Sequence, residues 1–122
     1  MEINRVGIVG SGIMGSGLAE VAAKAGCQVV LRSRNKDTAQ ASVNGVVKNL
    51  AKQVERGKLT ADDAAAIEAR ITPTADLKDL ADCDLIIESV VEDLPTKLAL
   101  FKELDAVAKP NAILATNTST LP

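Results

Sequence analysis

The chain has 122 residues, 47% hydrophobic and 25% charged, with a formal net charge of -2. That suffices for one domain with a real core, and the near-balance of charge argues against a nucleic-acid or anionic-membrane surface as partner. With no His, Trp or Tyr and a single aromatic, Phe101, the chain holds no imidazole base, no His-ligated metal, no tyrosine acid and no base-stacking platform.

In chain order, Arg5-Val-Gly-Ile-Val-Gly10 reads as a strand buried on both faces. A glycine turn follows, Gly10-Ser-Gly12-Ile-Met-Gly15. The next segment is helical, with Met14, Leu18, Val21, Ala22 and Ala25 expected on one face and Gly26 as its stop. Residues 27–32 read as a second strand, which completes a βαβ unit. A helical hairpin is predicted over 35–56 and 60–70, broken at Gly57, with Thr60 as cap of its second arm. Ile71-Thr-Pro-Thr74 is a third strand, and Pro73 marks it as an edge. Asp76 caps a short turn over 76–81, and Asp84–Ser89 forms a fourth strand. Asp93 caps a helix beginning near Leu94-Pro95 and running to about Ala108, with Leu98, Phe101, Leu104 and Ala108 turned to the sheet. Residues 112–116 form the fifth strand.

This alternation predicts an α/β fold: a doubly wound parallel sheet of order 3-2-1-4-5 with right-handed crossovers, and the hairpin between strands two and three. Cys27 and Cys83 match no metal spacing and read as buried free thiols of a reducing cytoplasm. No metal site is expected. No apolar run approaches the ~20 residues that span a bilayer, and nothing resembles a signal peptide.

Gly10-x-Gly12-x-x-Gly15 has the context that gives it meaning, because it ends a strand and opens a helix. Gly10 permits the tight turn, Gly12 lets the backbone approach a pyrophosphate, and Gly15 lets helix and strand pack closely. Amides from Gly12 through Ile13 to Met14 would face the phosphates at the positive end of the helix, with Ser11 in the same turn. This is the fingerprint of a Rossmann-type dinucleotide site. The acid that usually ends strand two is missing. Arg32-Ser33-Arg34 stands there, and the first acid is Asp37. A hydroxyl between two guanidiniums suits a 2′-phosphate, so NADP(H) is favoured over NAD(H).

Several ordered motifs together resemble the L-3-hydroxyacyl-CoA dehydrogenases, including 3-hydroxybutyryl-CoA dehydrogenases. They are Val6-Gly-Ile-Val-Gly-Ser-Gly-Ile-Met-Gly15, Ala19-Glu-Val-Ala-Ala23, Gly57-Lys-Leu-Thr60, Ile87-Glu-Ser-Val-Val-Glu-Asp-Leu94, Lys97, Leu100-Phe-Lys-Glu-Leu-Asp105 and Ala115-Thr-Asn-Thr-Ser119. The resemblance covers the whole chain. It implies that Glu92 and Lys97 line the cofactor near the nicotinamide and its ribose, and that Asn117 lies beside the nicotinamide. Ser119 resembles the serine that hydrogen-bonds the substrate's 3-oxygen. The hairpin resembles an arm that touches coenzyme A. Lys48, Lys52 and Arg56, spaced four apart on its first helix, form a basic face for the phosphates of an acyl-CoA.

Departures accompany the resemblance. Ser33 replaces the family's acid after strand two. The family's catalytic His–Glu pair and its helical second domain, which closes over substrate and makes the homodimer, lie beyond the serine loop. Residues 1–122 therefore read as the dinucleotide-binding domain, with the C-terminal substrate and dimerisation domain absent and turnover by these residues alone not expected. Two other readings remain open: a related dehydrogenase acting on a carrier-linked or free acid, and a non-catalytic dinucleotide-binding module.

Overall fold

The computed structural model describes residues 2–10, 12–89 and 94–116. Five parallel strands, β1 (Arg5–Val9), β2 (Gln28–Arg32), β3 (Ile71–Thr74), β4 (Leu85–Glu88) and β5 (Ile113–Thr116), form one sheet of order β3-β2-β1-β4-β5. The expected topology is therefore present. Four α-helices are described, α1 (Gly12–Lys24), α2 (Lys36–Glu55), α3 (Ala61–Ala69) and α4 (Leu94–Val107), with a 3-10 helix at Leu77–Leu80.

Side-chain alternation along the strands divides the interior into two layers. Val6 and Ile8 of β1, Val29 and Leu31 of β2, and Ile71 face one way, onto Ala19 and Ala23 of α1, Val43, Val46 and Leu50 of α2, and Ile67 of α3. Val9, Val30 and Ile86 face the other way, onto Leu77, Leu80, Cys83 and Leu104. Each fully buried aliphatic side chain contributes about 1.5–3 kcal/mol, and with so few aromatics the core rests on them. Gly7 is required by this packing, because a Cβ there would lie 2.6 Å from Leu80 Cδ2.

The local signals act as expected at three helix starts, and Asp93, the expected cap of α4, lies outside the described residues. The Asn35 side chain accepts from Thr38 N at 2.9 Å, Thr60 from Asp63 N at 3.0 Å, and Asp76 from Lys78 N at 2.9 Å. Gly26 and Gly57 take positive φ, 98° and 75°, after α1 and α2. Pro73 lies on the edge strand β3.

Four expectations need correction. On α1, Met14 and Val21 are exposed, at 55% and 69%, and Ala25 is exposed too. The buried stripe is Gly15, Ala19 and Ala23, with Leu18 and Ala22 partly buried. Small residues lie innermost because α1 packs close against the sheet. On α4, Leu98 is 62% exposed and Phe101 half-buried. Lys97, Leu100, Leu104 and Ala108 instead form the inward row, because Lys97 has a buried partner. Cys27 is only half-buried, because it precedes β2 at the sheet's N-terminal edge; Cys83 is buried. The elements also begin or end a residue or two inside several expected bounds, as fraying ends do.

Asp84 anchors the N-terminal edge of the sheet. Its carboxylate accepts from the backbone N–H groups of Asn4 and Arg5, at 2.8 and 3.0 Å, and from Lys109 Nζ. The Lys109 hydrogen bond, joined by the two backbone donors, holds the Asp84 pKa down from 3.8 to about 2.

Candidate functional site

In the order β3-β2-β1-β4-β5, the chain leaves β1 and β4 toward opposite sides of the sheet. The crevice above their C-terminal ends is where ligands of open α/β sheets bind. Gly10 ends β1 there with φ 128°, and its N–H donates to Arg32 O at 2.9 Å, locking the turn to β2. A Cβ on Gly10 would meet Ser89 Oγ at 2.7 Å, and one on Gly15 would meet Gly10 O at 2.3 Å. The two glycines are therefore demanded by the protein itself. Gly12 differs: its φ is 85°, and a Cβ there would meet nothing within 4 Å. Open space lies in front of it, as a pyrophosphate cradle requires. Ile13, 96% exposed, and Met14 continue the helix start beside that space.

One amide is committed elsewhere. Gly12 N–H donates to Ser42 Oγ at 3.1 Å, so it does not face the phosphate side as expected; Ile13 and Met14 follow it at the helix start. Ser42 lies on the buried face of α2, and the local sequence gave no sign that it holds the glycine turn. Ser16 completes the clamp, donating to Gly12 O at 2.7 Å.

At the end of β2, Ser33 is buried, its N–H donates to Thr74 O, and its hydroxyl lies 2.6 Å from Thr38 Oγ1. Thr38 donates to Asn35 O at 3.0 Å, so a hydroxyl relay ties this corner to the cap of α2. Arg34 is exposed. The two arginines do not flank Ser33 symmetrically. Arg32 Nε donates to Ala75 O at 3.1 Å, and Arg32 lines a cavity of about 580 Å³ with Leu77, Lys78, Glu103 and Val107.

Below the C-terminal edge, Glu88 is 0% exposed and Lys97 7%. Lys97 Nζ lies 3.0 Å from Glu88 Oε1 and donates to Oε2 at 3.3 Å. Thr116 Oγ1, at the end of β5, donates to Glu88 Oε1 at 3.5 Å. The expected role of Lys97 thus comes with a buried counter-ion that the linear sequence placed only inside a strand. Ser11, Glu92, Asn117 and Ser119 lie outside the described residues.

Lys48, Lys52 and Arg56 are all exposed along α2. Among the described residues they form no ion pair, with Glu55 or with any other acid. The other side of α2 is tied to α1. Glu20 pairs with Lys24 at 3.0 Å and accepts from Asn49 at 2.7 Å and Gln53 at 3.2 Å. Burial raises the Glu20 pKa, but hydrogen bonds from Asn49, Lys24 and Gln53 outweigh it, and the net shift is downward. A cavity of about 620 Å³ opens between α1 and α2, lined by Ile13, Gly17, Ala41 and Asn49 among others. Among the described residues there is no group of three or more metal-ligating side chains, and no helix is long and apolar enough to cross a membrane.

The parallel sheet, the switch point and the glycine turn define the class: a dinucleotide-binding domain of the Rossmann type. The family model described as 3-hydroxyacyl-CoA dehydrogenase, NAD binding domain, matches residues 5–122, and the chain belongs to that family. It is 46% identical over 121 residues, 98% of its length, to a 3-hydroxybutyryl-CoA dehydrogenase of Mycobacterium tuberculosis. It is 42% identical over 118 residues, 97% of its length, to a probable 3-hydroxybutyryl-CoA dehydrogenase of Deinococcus radiodurans. It spans 42% of the length of each of these relatives. The crystal structure of FadB2 from M. tuberculosis matches with a TM-score of 0.95 and 45% identity, covering 100% of this chain and 43% of that one.

Proposed function

We propose that this chain is the cofactor-binding part of an oxidoreductase that moves a hydride between a nicotinamide dinucleotide and C3 of a 3-hydroxyacyl- or 3-ketoacyl-CoA. The observation that carries the reading is Gly12, whose φ is 85° and whose missing Cβ leaves open space at the start of α1. When bound, the cofactor supplies the hydride chemistry. The chain's own residues bind and orient it. Gly10 and Gly15 shape the turn, Ser42 holds it to α2, and the start of α1 offers Ile13 and Met14 amides to the pyrophosphate.

Lys97, with Glu92, holds the ribose next to the nicotinamide, and Asn117 the nicotinamide itself. Ser119 orients the substrate's 3-oxygen. The 122 residues contain no His, so an imidazole that moves the proton is supplied from outside them. Homodimerisation and the substrate-closing domain belong to the same wider protein, working in a reducing cytoplasm where the thiols Cys27 and Cys83 stay free.

The cofactor is NADP(H) in preference to NAD(H). Ser33 and Arg34 put no carboxylate where a 2′-phosphate would lie, and Arg34 is exposed beside the α2 N-terminus. The basic face of Lys48, Lys52 and Arg56 meets the phosphates of coenzyme A. Calorimetric titration with NADPH, NADH and coenzyme A tests the reading. NADPH is expected to bind more tightly than NADH, and Arg34→Ala to narrow the gap; Arg56→Ala should weaken coenzyme A. Tighter binding of NADH would remove the NADP preference, and no binding of either dinucleotide would remove the whole reading.

A further inference from the structure

Packing holds two glycines of the turn and leaves the third open. A Cβ on Gly10 or Gly15 would collide with protein, whereas one on Gly12 would meet nothing within 4 Å. Glycine has the freest backbone of any residue, so an unheld Gly12 at φ 85° would have to be ordered by each ligand that binds there. Two side chains act where packing does not. Ser42 Oγ accepts from Gly12 N–H at 3.1 Å, and Ser16 Oγ donates to Gly12 O at 2.7 Å. Both peptide planes that meet at Gly12 are tied in this way. The Gly12 carbonyl and the Ile13 N–H share one trans peptide and point in opposite directions. With the carbonyl held toward Ser16, one turn further along α1, the Ile13 N–H points back to the helix start and the crevice.

We propose that Ser42 is a positioning residue of the dinucleotide site, fastening the Gly12 amide to α2 so that the turn has its ligand-ready shape before a pyrophosphate arrives. The role rests on the dinucleotide-binding reading above. The turn gives up one donor, Gly12 N–H, and gains a fixed direction for the next, Ile13 N–H. Fixing a binding group beforehand removes an ordering cost from association. The helix itself does not ask for this hydroxyl. Ser42 is 7% exposed among Ala39, Val43, Val46 and Leu50 on the buried side of α2, where alanine is the better helix former.

The tie is the upper end of a polar seam between two helices. Gly12, Ser16, Glu20 and Lys24 stand four residues apart on α1, and Ser42, Asn49 and Gln53 of α2 bond to them. At the lower end Gln53 donates to Glu20 at 3.2 Å and accepts from Lys24 at 2.7 Å. That end lies about 16 Å along α2 from Ser42, beyond the distance at which substitutions usually couple. Gln53→Ala therefore breaks the same seam without reaching the turn, and it isolates a role in holding helices together from a role in binding.

The 122-residue chain and its Ser42→Ala and Gln53→Ala variants are titrated with NADH and with adenosine, which has no phosphate. Circular dichroism follows folding, and amide hydrogen exchange by NMR follows Gly12. Ser42→Ala is expected to weaken NADH about fivefold, the worth of one neutral hydrogen bond, to leave adenosine unchanged and to speed exchange of the Gly12 amide. Gln53→Ala should lower Tm yet keep NADH binding within about twofold of wild type. Unchanged NADH binding in Ser42→Ala, equal weakening of NADH and adenosine, or equal weakening of NADH by Gln53→Ala overturns the proposal. If Ser42→Ala does not fold, exchange in the ligand-free wild-type chain decides. A protected Gly12 amide supports the role, and one that exchanges as fast as an open loop overturns it. A wild-type chain that binds no dinucleotide overturns the cofactor reading and this role with it. Wild-type binding with an unaffected Ser42→Ala overturns this role alone.

Discussion

A Cβ on Gly15 would lie 2.3 Å from the carbonyl oxygen of Gly10. No real Cβ makes that contact, and the obstacle is backbone that cannot rotate aside. Gly15→Ala must push α1 away from the turn, and overpacking of this kind typically costs about 1–3 kcal/mol. Gly12→Ala meets no protein atom, but φ 85° strains any side chain, by about 1–2 kcal/mol, and the new methyl points into the crevice. Urea unfolding and dinucleotide titration should therefore separate them. Gly15→Ala loses both stability and binding, whereas Gly12→Ala loses binding beyond what its stability change explains. A Gly15→Ala chain as stable as wild type would contradict the packing described.

Acid should loosen the opposite edge of the sheet. The Asp84 pKa lies at about 2, below its ordinary 3.8, chiefly through Lys109 and then the Asn4 and Arg5 amides. A carboxyl lowered on folding adds stability that is fully present above the unfolded value and is lost as pH falls through the folded one. The Asp84 contribution is thus complete at pH 5 and above and disappears between about pH 4 and 2. Asp84→Asn should lower Tm at pH 7, and its deficit relative to wild type should shrink across that window. A deficit that is constant from pH 7 to pH 2 would show that the charge of Asp84 contributes nothing.

The two thiols should react differently. Burial pushes the Cys83 thiol up to about 11, so almost none of it is thiolate at neutral pH. Cys27 is half-buried, with Sγ 3.6 Å from Ile3 O near the chain's N-terminal edge. A disulfide-exchange reagent should label Cys27 in the folded chain and Cys83 only on unfolding. Mass spectrometry of the labelled peptides reads this directly. Comparable rates at both residues would mean that the 3-10 helix around Leu77 and Leu80 opens readily.

Much was legible from local pattern. Alternating strand and helix periods, the turn at Gly10 to Gly15, and the caps Asn35, Thr60 and Asp76 depend on neighbours within a few residues, so the linear sequence contains their causes. Parallel strands need crossovers, crossovers have one hand, and β3-β2-β1-β4-β5 followed. The depth of individual side chains was not legible. Helical spacing alone made Met14, Val21 and Leu98 look inward, and packing left all three exposed.

The sequence by itself determined that this is a parallel α/β domain with a dinucleotide fingerprint and without an imidazole. Only the tertiary structure decided that Ser42 takes the Gly12 amide and that Glu88 lies buried against Lys97 and Thr116. Ser42 and Gly12 are 30 residues apart, and Glu88 and Thr116 are 28. Such partners are chosen by how helices seat on the sheet and how strands register, and neither is encoded in any single window of the chain.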